Sequence, residues 1–391
     1  MADSVAFPPA AVPSPAAPAA VNFKAVLSQM VQQGASDLHL KVGRPPTLRI
    51  NGELVPMGLP PMRPEDLTQL AKELMTPRQV KEFTEHRETD FATGVPGVGR
   101  FRVNIYQQRG TVAFALRTVP HQTPTIEELN LPPVVGEIAM RPRGLVLVTG
   151  ITGSGKSTAL AAMIQHINER RRANIITIED PIEFLHRDQS CLINQREVGT
   201  DTASFGQALR RVLRQDPDVV LLGEIRDLET LDTALKAADT GHLVFSTLHT
   251  TDTTQTINRV LSFYPPHQQV EVRFALSSAL AAVISLRLVP RSDRTGRVPA
   301  AEILINTAAV RENIRDMNKA LNIPDLIKEG TVQYGMQSFD QSLMHWYSKG
   351  VISYENAVFY ATNPSEFALR VQGVAGASDT SWDDFQSSPG I

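Results

Sequence analysis

The sequence predicts an α/β protein, a parallel sheet with covering helices preceded by a smaller α+β domain. Three observations predict it. Gly150-Ile151-Thr152-Gly153-Ser154-Gly155-Lys156-Ser157 fits the G-x-x-x-x-G-K-[ST] pattern at every fixed position. A β-run, Leu145–Thr149, feeds into that loop, and a helical pattern from Thr158 to about Arg170 leaves it. From Thr125 onward strand patterns alternate with helical ones, whereas residues 22–120 read as short strands separated by turn signals.

Residues 1–21, rich in Ala, Pro, Val and Ser, read as a disordered leader. Asn22 is a plausible N-cap for a helix whose stripe is Phe23, Val26, Leu27, Met30 and Val31, and Gly34 ends it. Asp37–Val42 alternates, and Thr47–Ile50 and Glu53–Val55 flank Asn51-Gly52, a strong two-residue hairpin signal. A helical stretch follows from about Pro64 to Thr84. Arg100–Tyr106 alternates cleanly, and its partner strand is Thr111–Arg117 across Gly110. Arg100, Arg102, Arg109 and Arg117 lie on or between these strands. On residue chemistry alone a solvated charged face is the preferred reading, with contact to a bound nucleotide the other.

After a linker at Pro120–Pro124, the strands of the second domain are Leu145–Thr149, Asn174–Ile178, Val219–Leu222 and Leu243–Thr247. Helices fall at Thr158–Arg170, Ser204–Arg214 and Leu228–Thr240, the last closed by Gly241. Beyond Tyr264 the pattern is mostly helical to about Phe359, with a strand at Arg297–Ile305. Phe274–Leu286 reads as a buried or amphipathic helix. Residues 371–391 read as a disordered tail.

Ligands in such sheets bind beyond the C-terminal strand ends. Three strands run there into Glu179-Asp180, Gly223-Glu224 and Leu248-His249, so these pairs should meet the glycine-rich loop. The loop's backbone amides suit phosphate oxygens, Lys156 the β- and γ-phosphates, and the Ser157 hydroxyl a Mg²⁺ ion. Asp216–Glu224 is an apolar strand with carboxylates at both ends, and Glu224 lies on the correct side to approach that ion. Glu179, Asp180 and Glu183 follow another strand. One of them could activate water, and chemistry alone does not choose among them. His242 and His249 bracket Leu243–Thr247 without metal-ligand spacing, and His249 at the C-terminal strand end is the better phosphate contact.

A net charge of −3 and the lack of a basic stripe with interleaved aromatics argue against nucleic acid as a partner. No apolar run approaches the ~18 residues that cross a bilayer, so no membrane insertion is expected. The first residues show neither a basic nor a continuous apolar signal region, and one cysteine, Cys191, leaves no internal disulfide framework. A cytoplasmic location is expected. A non-hydrolysing nucleotide-dependent scaffold is a competing class, opposed by the carboxylate clusters beside the loop.

On these residues the chain, over roughly 22–370, resembles the RecA-like secretion ATPases, and within them the branch that retracts type IV pili. The likeness rests on ordered motifs: Gly150–Ser157 as Walker A, Thr177–Phe184 as the Asp box, Leu222–Asp227 (L-G-E-I-R-D) as Walker B, Thr240–His249 as the His box and Gly335–Asp340 as a further family stretch. The resemblance implies a PAS-like domain over 22–120 and a RecA-like P-loop ATPase domain over 121–370 with a helical C-terminal part. It also implies a homohexamer that uses ATP and Mg²⁺ for twitching motility. Gly150, Thr152, Gly153, Ser154, Gly155, Lys156, Ser157 and Thr158 would bind nucleotide, with Ser157 and Glu224 at the metal. By position Glu183 matches the water-activating glutamate, and His242 and His249 match the His-box pair, of which the second senses the γ-phosphate. Arg102 and Arg117 match arginines that reach the nucleotide from the N-terminal domain. Implied partners are an inner-membrane platform protein of the pilus machine and a paralogous retraction ATPase, at the inner face of the inner membrane. Ala309–Asp316 keeps only part of the family's A-I-R-N-L-I-R-E retraction helix, and Ser285–Pro290 resembles an accessory retraction paralogue. Assembly ATPases of pili and type II secretion match less well, since they usually carry a four-cysteine zinc element.

Overall fold

A computed structural model describes residues 22–120, 122–316 and 322–373. The leader and nearly all of the tail lie outside the described residues. The chain divides into two compact units, Met1–Val119 and Pro120–Ile391.

The first unit contains α1 (Phe23–Gln32), β1 (Asp37–Leu40), β2 (Thr47–Ile50), β3 (Glu53–Pro56), α2 (Pro64–Leu74), α3 (Pro77–His86), β4 (Glu88–Val95), β5 (Gly99–Gln108) and β6 (Thr111–Val119). Its strands form one antiparallel sheet in the order β3-β2-β1-β6-β5-β4. The Asn22 side chain accepts from the Ala25 amide and starts α1. Asn51 and Gly52 both take positive φ, 49° and 88°, which the tight β2–β3 turn requires. Alternation puts Phe101, Val103 and Ile105 of β5 into the core with Phe114 and Leu116 of β6, against Leu27 and Met30 of α1. The single helix expected over 64–84 is two helices. Pro77 cannot continue α2, and Thr76 opens α3 with a capping box closed by Gln79. Strand β4, which the sequence reading did not anticipate, pairs along β5.

The second unit opens with α4 (Val134–Ala139), β7 (Gly144–Thr149), α5 (Lys156–Arg170), β8 (Asn174–Glu179), β9 (Leu192–Glu197), α6 (Phe205–Val212), β10 (Val219–Leu222), α7 (Leu228–Asp239) and β11 (Leu243–Leu248). It continues through α8 (Thr253–Ser262), α9 (Gln269–Ala279), β12 (Leu280–Pro290), β13 (Arg297–Ile305) and α10 (Ala308–Arg315), then α11 (Ile323–Glu329), α12 (Thr331–Tyr334), α13 (Phe339–Ser348), α14 (Tyr354–Tyr360) and α15 (Pro364–Val371). The sheet order is β13-β12-β7-β11-β10-β8-β9, parallel throughout except for the β12–β13 pair.

Every residue of β7, β10 and β11 is buried, because helices cover both faces of this parallel sheet. The same burial explains a correction. The part of Phe274–Leu286 read as helix beyond Ala279 is strand β12, lying between β7 and β13. A strand buried on both faces shows no alternation, so its apolar run matches a buried helix equally well. Its one interior hydroxyl, Ser285, is satisfied by Thr149 of β7 at 2.7 Å. Among the described residues no helix is long and apolar enough to cross a membrane.

Phe245 of β11 is fully enclosed, whereas Leu192 on edge strand β9 is 55% exposed. In urea unfolding, Phe245→Ala is expected to cost about 3–5 kcal/mol and Leu192→Ala less than about 0.5 kcal/mol. Equal losses would contradict the central and edge placement of these strands.

Candidate functional site

The loop from Gly150 to Gly155 carries the chain from β7 into α5. Gly150 has φ of 146°, and a Cβ there would lie 2.6 Å from the Leu286 carbonyl oxygen on β12. Only glycine fits, so β12 fixes the shape of the turn from behind. Lys156 is buried, and its Nζ donates to the Gly150 and Ile151 carbonyls at 2.8 and 2.9 Å. Burial lowers the ammonium from its usual pKa, and the Glu224 and Glu183 carboxylates act against that shift. The first turn of α5 then presents Ser157 and Thr158 beside the loop, at the positive end of the helix dipole.

A cleft of about 530 Å³ opens over these C-terminal strand ends. Thr152, Gly153, Gly155, Lys156, Ser157 and Thr158 line one side; Glu179, Asp180, Glu183, Glu224 and His249 line the other. The strand-end clusters of β8, β10 and β11 therefore do meet the loop. Gly150 and Ser154 stand just behind it. Ser154 is 2% exposed and packs against Gly150, which accounts for its place inside the turn.

Both oxygens of Glu224 are engaged. One pairs with the Arg226 guanidinium, and the other lies 3.4 Å from His249 Nε2. Arg226 also reaches Asp180 Oδ2 at 3.5 Å, joining the ends of β8 and β10. Arg226 is a further functional residue, and its signal in the sequence is a cation two residues past a strand-end carboxylate. Glu179 accepts from Thr177 Oγ1 at 2.7 Å, and burial raises its carboxyl above the usual range. A Mg²⁺ ion on a nucleotide needs only one or two protein oxygens, with phosphates and waters supplying the rest. The Ser157 hydroxyl and Glu224 carboxylate fit that donor set. Among the described residues no group of three or more His, Cys, Asp or Glu could hold a metal by itself.

His242 is not brought to this cleft. It precedes β11 while His249 follows it, and the intervening strand separates them by roughly 20 Å. Its Nδ1 lies 2.9 Å from the Ala237 carbonyl, tying down the end of α7. Arg102 and Arg117 belong to the other unit, where they face each other across β5 and β6. Arg117 Nε donates to Asp37 Oδ1 at 2.8 Å.

The family model described as "Type II/IV secretion system protein" matches residues 15–324. The type IV pilus retraction ATPase PilT of Pseudomonas aeruginosa is 47% identical over 347 residues, 89% of this chain and 100% of that protein. The type IV pilus ATPase PilU of the same organism is 41% identical over 352 residues, 90% of this chain and 92% of its own length. The crystal structure of the pilus retraction motor PilT with bound ADP superposes with a TM-score of 0.82 at 45% identity, covering 88% of this chain and 98% of that one.

Gly150→Ala places a methyl group against the Leu286 carbonyl and strains a backbone that L-residues rarely adopt. Nucleotide affinity, read by fluorescent-ADP titration, is expected to fall at least about tenfold, the equivalent of ~1.4 kcal/mol. Unchanged affinity would show that the loop's conformation is not what holds phosphate.

Proposed function

Since this chain belongs to the type II/IV secretion system protein family, we propose that it is an ATP-hydrolysing homohexameric motor that retracts type IV pili. The observation that supports this most directly is the convergence of Lys156, Ser157, Glu183, Glu224 and His249 on one cleft, in a chain 47% identical to a retraction ATPase along that protein's whole length.

In this reading the loop amides and the α5 N-terminus hold the nucleotide phosphates. Lys156 exchanges its contacts with the Gly150 and Ile151 carbonyls for the β- and γ-phosphates. Ser157 and Glu224 would hold Mg²⁺, and the ion would supply neutralisation of charge on the phosphate oxygens. Glu183 takes a proton from the attacking water, and His249 contacts the γ-phosphate from the β11 end. By the family resemblance Arg102 and Arg117 would supply positive charge to the transferring phosphoryl group, the role an arginine finger plays. Hydrolysis drives domain movements that act on an inner-membrane platform protein from the cytoplasmic face and withdraw pilin subunits. A PilU-type accessory motor is the second reading, favoured by the 41% identity to PilU.

Glu183→Gln removes the proposed base but leaves the phosphate cradle. Steady-state phosphate release is expected to fall by about 10²–10⁴-fold, with ATP affinity within about twofold of wild type. Wild-type turnover in this variant would remove Glu183 from the base role. Absence of sustained release from the unaltered hexamer would leave a nucleotide-dependent scaffold instead.

A further inference from the structure

The segment carrying Glu183 is held from beneath by side chains of the adjacent edge of the sheet. Thr177 and Glu179 of β8 lie in parallel register with Gln195 and Glu197 of β9, so the four project from one face. Their polar groups meet the backbone of residues 182–186 almost one by one. Glu197 Oε2 accepts from the Ile182 amide at 3.1 Å, and Glu179 Oε2 from the Glu183 amide at 3.4 Å. Gln195 makes the central contacts. Its Nε2 donates to the Phe184 carbonyl at 2.9 Å and to Glu179 Oε1 at 3.2 Å, while its Oε1 accepts from the His186 amide at 2.8 Å. Gln195 does not line the cleft.

We infer that Gln195 is a positioning residue for hydrolysis: its side-chain amide, with Glu179 and Glu197, clamps the 182–186 backbone and so fixes the Glu183 carboxylate over the cleft. This inference rests on the reading of Glu183 as the base. A primary amide suits the task because it donates and accepts at once, spanning a carbonyl and an amide two residues apart. The segment has no regular secondary structure, so these side chains supply the hydrogen bonds that a helix or strand would otherwise give. Displacing a reacting group by about 1 Å can cost on the order of 10²-fold in rate without altering binding.

The test uses the full-length hexamer. Gln195→Leu keeps the side chain's bulk and removes its hydrogen bonds. Gln195→Asn keeps the amide and shortens its reach, and it serves if the leucine variant does not assemble. The expected result is a fall in kcat of about 10- to 100-fold, with KM and fluorescent-ADP affinity within about twofold of wild type. In single-turnover assays the same change on a Glu183→Gln background adds less than about twofold, because both act through one group. Full kcat in both Gln195 variants, with Glu183→Gln inactive, would overturn the clamp and leave the base assignment standing. Loss of ADP affinity in parallel with kcat would also overturn it, making Gln195 a general structural residue. Wild-type turnover by Glu183→Gln would overturn both.

Discussion

The parallel pairing of β7 with β11 on one side and β12 on the other is the constraint on which the rest of the second unit depends. Parallel strands bring their C-terminal ends to one edge. Once β7 ends in the glycine-rich loop, the ends of β8, β10 and β11 must lie beside that loop. The apolar interiors of these strands fix the register, since a slip of one residue would turn buried side chains to the wrong face. From β12 comes a second restriction: its Leu286 carbonyl leaves no room for a Cβ at Gly150. Chemistry at the edge is thus set by packing in the middle.

Cations link the carboxylates at the ends of β8 and β10. Glu224 sits between Arg226 and His249, and Arg226 continues to Asp180. The Arg226 side chain is 59% exposed. A pair at that exposure contributes no more than about 1 kcal/mol, enough to orient Glu224 and too little to keep it from a divalent ion. The backbone of the Glu183 segment exchanges hydrogen bonds with Glu179, Gln195 and Glu197.

Much of this was legible in the sequence, and the failures have physical causes. The loop, its flanking strand and helix, the Asn51-Gly52 hairpin and the meeting of three strand-end clusters followed from local patterns strong enough to survive tertiary context. Strand β12 did not, because burial on both faces erases the alternation that marks a strand. The break at Thr76-Pro77 was hidden by helical periodicity on both sides of it. Strand β9, Leu192–Glu197, is polar along much of its length and borrows its stability from β8, so it carries no strong signal of its own. For the site, residue type and strand-end position led to the cleft that Glu183, Glu224 and His249 line. His242 lies at the opposite end of the same strand, away from that cleft. Arg226 stands two residues past Glu224, a spacing the sequence displays, whereas its contact with Asp180 and the bonds of Gln195 to the 184–186 backbone join residues distant in sequence, which no one-dimensional pattern announces.

Counting surface pili beside a twitching assay in a deletion strain decides the direction of work. The account predicts abundant pili on cells that do not twitch, with both properties restored by the intact gene. Bald cells would contradict it, because the motor would then drive assembly. Normal piliation with movement weakened only under load would assign the chain to the accessory role.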